Sequence, residues 1–162
     1  MPRTLVIGLL VALLARPVFT AQVGSALDSL KDLQAVRVEV QMERNPSAAR
    51  NGVEPDWLRD IVERRLEQLD VELSQGGENP DGTYLTVAVN PARAAADGFA
   101  ISISLKLFQP ATLANDETVM AATWHADSLD FTDADSLQED TRRVLQNHLE
   151  MLGADYRAAN EP

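Results

Sequence analysis

The chain has 162 residues, a length suited to one domain, and its 45% hydrophobic and 24% charged residues exclude a wholly disordered or collagen-like polymer. A net charge of −11, from 14 basic against 25 acidic residues, is the opposite of the basic footprint that nucleic-acid binding requires. Cysteine is absent, which excludes a disulfide framework, a thiolate zinc site, an iron–sulfur cluster and a cysteine nucleophile.

Residues 1–21 read as a secretory signal peptide. Arg3 supplies a positive start, and Leu5 to Leu14 is an uncharged apolar run that Arg16 and Pro17 end well short of the roughly 20 residues a spanning helix needs. The run has no polar face with which to lie on a globular domain, which argues against an uncleaved anchor or a buried helix. Phe19-Thr20-Ala21 sets the cleavage point, or Gly24-Ser25-Ala26 as late as residue 26. Either cut removes Arg3 and Arg16 and no acid, taking the net charge from −11 to −13. No cysteine stands at the cut for lipoprotein acylation, and with the apolar run removed the mature form is expected to have no integral membrane span and to be soluble, or held at a membrane only by a protein partner. Twelve of the 14 basic residues are arginines, scattered among acids without forming a block.

Residues 22–33 read as a lead-in with a partial helical turn at Ala26–Leu33, and 34–160 as a single domain. Val36 to Met42 alternates apolar and polar residues, the period of a strand with one buried face. Asn45-Pro46-Ser47 and Asn51-Gly52 punctuate a loop. Pro55 and Asp56 open a helix over 54–69, with Trp57, Leu58, Ile61, Val62, Leu66 and Leu69 at helical spacing. Val71–Leu73 is a short strand, and Gly76 to Gly82 is a turn-rich loop. Tyr84–Val89 is a strand with Leu85, Val87 and Val89 inward, and an Ala-rich connection follows at Asn90–Gly98. Phe99–Leu107 has the sharpest alternation: Phe99, Ile101, Ile103, Leu105 and Leu107 on one face, Ala100, Ser102, Ser104 and Lys106 on the other. Pro110 to Asp116 is a turn. Thr118–Ala126 is a fifth strand, whose buried face is either Val119, Ala121, Thr123 and His125, or Met120, Ala122, Trp124 and Ala126. Asp135 with Gln138 forms a capping-box pattern for a terminal helix, with Asp133 as the alternative cap. The apolar stripe of that helix is Leu137, Val144, Leu145, Leu149, Leu152 and Tyr156.

This order, β-α-β-β-β-β-α, predicts an α+β two-layer sandwich. A mostly antiparallel sheet of about five strands carries two helices on one face, with a meander from 84 to 126 and a parallel crossover in the first strand–helix–strand unit. At the level of architecture, residues 34–157 resemble small envelope proteins such as the lipopolysaccharide-assembly lipoproteins, although the acylated cysteine of those proteins is missing. The resemblance implies an accessory role in the envelope and brings no site residues with it.

Few residues point to chemistry. His125 and Asp127 share a strand face, a spacing compatible with metal ligands or with a base and its orienter. His148 lies at the margin of the last helical stripe. A strand-end histidine in solvent and a core-edge helix histidine explain both without a site. Asp127, Asp130, Asp133, Asp135 and Asp140 form an acidic stretch, but Asp130–Asp140 lacks the central glycine of a calcium loop, and helix-start acids explain it. The nucleophile elbow, the P-loop, the dinucleotide fingerprint and His-Glu-x-x-His are all absent. Trp57 and Trp124 fit core packing better than ligand stacking.

The reading is therefore an exported, periplasmic or secreted, non-enzymatic accessory domain of the bacterial envelope. It would act by contact with an envelope protein, through an open sheet face (Arg37, Glu39, Gln41, Thr86, Ser102, Ser104 and Lys106) or an unprotected edge strand. No catalytic, cofactor or metal residue is assigned. The alternative is a small-ligand or metal-binding module, in its sharpest form a hydrolase using His125, Asp127 and His148. A third reading is a purely structural envelope domain. Convergence of those three side chains would favour the second, and an exposed edge strand beside an apolar patch the first.

Overall fold

The computed structural model describes residues 27–33, 35–43, 45–74, 82–94 and 98–161. Residues 1–21, read from the sequence as a signal peptide, and most of the Gly76–Gly82 loop lie outside the described residues.

The alternation at Val36, Val38 and Val40 produces β1 (Ala35–Gln41), with Val36 and Val38 buried. The segment read as a loop contains a five-residue helix, α1 (Pro46–Arg50). Asn45 caps it by accepting from the Ser47 and Ala48 backbone N–H groups, and Pro46 occupies a first-turn position where no N–H is required. Loop-type residues here encode a cap. α2 (Pro55–Glu67) buries Leu58, Ile61, Val62 and Leu66 against the sheet and leads to β2 (Glu72–Leu73). Both β2 and β3 (Tyr84–Arg93) run parallel to β1. Because β2 pairs only with Ala35 and Val36, the chain retraces almost no strand length before β3 begins opposite Arg37.

β3, β4 (Gly98–Thr112) and β5 (Thr118–Asp133) form the antiparallel meander, giving one mixed sheet of order β2-β1-β3-β4-β5. All three strands outrun the sequence reading. Pro91 and Pro110 look like turn signals but sit within strands. At Pro91, β3 has passed its last partner in β1, Ala88 with Gln41; at Pro110, β4 has passed its last partner in β3, Phe108 with Tyr84. With a neighbour on one side only, a residue without an N–H is tolerated.

The ambiguous face of the fifth strand has a physical explanation. The register shifts between Leu107, opposite Trp124, and Phe108, opposite Ala122, so Thr123 is an extra residue. Its hydroxyl donates to Gln109 Oε1 at 2.5 Å. This bulge reverses the alternation. Trp124 and Ala126 on one side of it and Val119 and Ala121 on the other therefore point to the same side of the sheet, where Trp124 and Ala126 are buried and Val119 stays exposed.

α3 (Leu137–Asn160) and α2 lie on the same face and share one core with Leu85, Val87, Ile101, Ile103, Leu105 and Leu107. The expected two-layer α+β sandwich is the observed one. The cap of α3 differs from the pattern: Ser136 occupies the cap position without a side-chain bond, and Asp133 accepts from the Ser136 N–H at 2.7 Å. Gln138 instead donates to the Gly52 carbonyl at 2.9 Å, tying α3 to the turn after α1. In the lead-in, Asp28–Leu30 forms a 3-10 turn. Leu30 and Leu33 join the core, and Asn160 holds the turn by donating to the Leu30 carbonyl and accepting from the Asp32 N–H.

Candidate functional site

The strand register places Arg37, Glu39, Gln41, Thr86, Ser102, Ser104 and Lys106 on the open face of the sheet, as the alternation predicts. The β1–β3 end of this face is largely covered by its own side chains. Tyr84 stacks on Phe108 with centroids 4.9 Å apart, Arg37 lies over the Tyr84 ring, and Arg37 pairs with Glu39. Thr86 is buried beneath this layer, its hydroxyl without a partner among the described residues.

The two edges of the sheet differ. On the β1 side, β2 and the Ser74 N–H satisfy the first residues, and Arg59 of α2 donates to the Val38 carbonyl at 2.6 Å. That edge is short and plugged. The other edge is β5, 16 residues long, which among the described residues pairs only with β4. The Asp28–Leu30 turn approaches it at Thr123, whose carbonyl accepts from Ser29 at 3.4 Å. Beyond that point His125, Asp127, Leu129, Phe131 and Asp133 line the open face. Leu129 and Phe131 are 66% and 68% exposed, more than any other large hydrophobic side chain described. On the alternate side, Asp130 and Asp140 bracket Arg143 at 3.1 and 3.0 Å. Hydrogen bonding from Thr132, followed by Arg143, holds the Asp140 carboxyl below its ordinary value. The Phe131 N–H is satisfied by the Asp130 carboxylate at 2.8 Å.

The sequence candidates do not assemble into one centre. His125 and Asp127 stand on the open face, and Asp127 lies 4.0 Å from Lys106. His148 is buried under α3, on the helix-covered side, with its Nδ1 unpartnered among the described residues. Burial pushes its pKa down, and the charge of Asp127 acts weakly in the opposite sense. Among the described residues no group of three His, Cys, Asp or Glu side chains could hold a metal ion. The acidic stretch is strand as far as Asp133, not loop. Four of its five carboxylates are engaged separately, Asp127 with Lys106, Asp130 and Asp140 with Arg143, and Asp133 with the α3 cap. Trp57 and Trp124 are packing residues; the Trp124 indole donates to Asp155 of α3.

Sequence reasoning missed Leu129 and Phe131. Their i, i+2 spacing was the available signal, but polar residues fall on both faces around them, so no amphipathic pattern marks the strand beyond Ala126.

No protein-family model matches the chain, and no curated protein matches it in sequence. Solved structures do share its shape. A PelC dodecamer from Paraburkholderia phytofirmans matches with a TM-score of 0.50 and 15% identity, over 75% of this chain and 87% of that one. A hypothetical protein from Chlamydia trachomatis matches with a TM-score of 0.47 and 10% identity, over 77% and 99%. A minor lipoprotein from Acinetobacter baumannii matches with a TM-score of 0.43 and 11% identity, over 79% and 93%. The likeness to PelC is one of fold.

Proposed function

We propose that the chain is an exported, non-catalytic accessory domain of the bacterial envelope that works by binding another protein along β5. The observation that carries this reading is the contrast between the two sheet edges: one is closed by Arg59, whereas the other is long and presents Leu129 and Phe131 to solvent. Natural sheets usually blunt such an edge, because an exposed strand with apolar side chains recruits another strand. The occupant is an extended segment of a partner with alternating apolar and basic residues. Its apolar side chains would cover Leu129 and Phe131, and its basic ones would meet Asp127 and Asp133, which bracket that pair on the same face and stay exposed beside Lys106 and the α3 cap. A second copy of this chain would set the same acids against one another, in a protein whose net charge is already −11. The amino-terminal apolar run and its fit to a cleaved signal support export. Among the described residues no helix is long and apolar enough to cross a membrane.

The test is in-cell crosslinking of the tagged, exported protein with its partners identified by mass spectrometry, run beside a Leu129→Asp/Phe131→Asp variant. One stoichiometric partner held by the parent and lost by the folded variant is expected. Equal capture by both would move the contact away from β5. A self-adduct alone would make the occupant a second copy.

A further inference from the structure

Arginines that are dispersed in the sequence meet in one place in the fold. A groove of about 510 Å³ runs between α2 and α3, with Arg64, Arg65, Arg142 and Trp57 on its walls and Ile61 and Leu149 among the apolar side chains lining it. Glu150 is the only acid among its lining residues, so the lining carries a net charge of +2 in a chain of net charge −11. Arg142 lies over the Trp57 ring, 5.6 Å from its centroid, with Glu139 3.4 Å away at the rim. The Arg64 side chain has no ion pair or hydrogen bond among the described residues, while its backbone carbonyl accepts from the Gln68 N–H. Arg65 donates from Nη1 to Gln68, and its Nε is buried without a partner. Gly153 of α3 makes room for this guanidinium: a Cβ there would stand 3.0 Å from Arg65 Nη2 and 3.3 Å from Leu69 Cδ2.

Helix dipoles explain only part of this cluster. Arg64 and Arg65 stand in the last turn of α2, where cations are favoured, but Arg142 lies near the start of α3, where they are not. Guanidinium groups present planar forks that match the oxygens of phosphate, and Trp57, Ile61 and Leu149 give an otherwise polar groove an apolar surface for the body of an organic ligand. From this geometry we infer that the groove is a binding site for a phosphomonoester, whose two negative charges match the +2 lining. The acidic remainder of the chain does not forbid this, because at physiological salt charges beyond about 8 Å are largely screened.

The test is titration of the full chain with phenyl phosphate in physiological salt, read by the NMR resonances of the Trp57 indole N–H and Arg65 Nε–H. Sulfate and benzoate at equal concentration serve as comparisons. Saturable shifts with phenyl phosphate, at least tenfold weaker in Arg64→Gln/Arg142→Gln, are expected. Both replaced groups are surface side chains, and an unchanged melting temperature verifies the fold of the variant. Vesicles of phosphatidylcholine with and without phosphatidic acid distinguish the source. Arginine-dependent binding to phosphatidic acid would identify a lipid headgroup, whereas response to the soluble ester alone would identify a free metabolite. If phenyl phosphate shifted these resonances no more than sulfate, or if the double variant bound it equally, the inference would be overturned.

Discussion

Trp124 of β5 donates its indole N–H to the Asp155 carboxylate of α3 at 2.8 Å, joining the edge strand to the longest helix. A hydrogen bond to a charged acceptor contributes about 1.5 kcal/mol or more. Trp124→Phe should therefore lower stability by at least that amount, and Asp155→Ala should cost less in the Trp124→Phe background than in the parent. Urea melts of the four proteins in this cycle measure the coupling, and strict additivity would show that the bond contributes nothing.

The strand register is tested by two neighbouring residues. Ile103 is 1% exposed in the core, whereas Ser102 points to the open face. Ile103→Asp leaves a charge unpaired in the apolar layer and should cost about 4 kcal/mol or more, enough to unfold many domains. Ser102→Asp should shift stability by no more than about 0.5 kcal/mol. The reverse ranking in thermal melts would require a register displaced by one residue.

Gly52 has a φ of +74°, and a Cβ there would stand 2.5 Å from the Gln138 amide nitrogen. Gly52→Ala should thus carry two penalties, backbone strain and a collision, together about 2 kcal/mol. Adding Gln138→Ala removes the collision but not the strain, so the double variant should be more stable than the sum of the two single losses predicts. A sum that matched would mean the amide swings aside freely.

Burial lowers the pKa of His148 below its ordinary value of 6.5. The unfolded chain then takes up this proton at a higher pH than the folded chain does. The resulting contribution to stability is complete above about pH 6.5 and is lost as the pH falls through the folded value. His148→Leu removes that dependence together with an unpartnered buried nitrogen. The variant should melt above the parent at pH 5, with the gap narrowing by pH 8. A gap independent of pH would show that His148 does not titrate differently on folding.

Legibility in the sequence followed burial. Phe99–Leu107 and the stripe of α2 could be read because one face of each is enclosed, so apolar residues recur at the period of the backbone. The same rule explains the failures. Past Ala126 the strand has a polar residue at most positions, and its two apolar ones face solvent, so the pattern that marks a strand is absent where the candidate contact surface begins. Thr123 hid the face assignment, since one inserted residue puts both alternations on the same side. Pro91 and Pro110 misled because a missing N–H is tolerated wherever a strand has lost one neighbour. Arg142 could not be linked to Arg64 and Arg65 until α3 was seen lying beside α2.

The most direct measurement replaces Phe131 with a photo-crosslinking phenylalanine analogue in the full chain expressed in cells, with Glu67 on the opposite, helical side as the comparison position. The account predicts one discrete adduct from position 131, mapping to an extended segment of another protein that carries basic and apolar residues, and none from position 67. Equal labelling from both positions, or no adduct from 131 in cells where the protein is folded and exported, would contradict it.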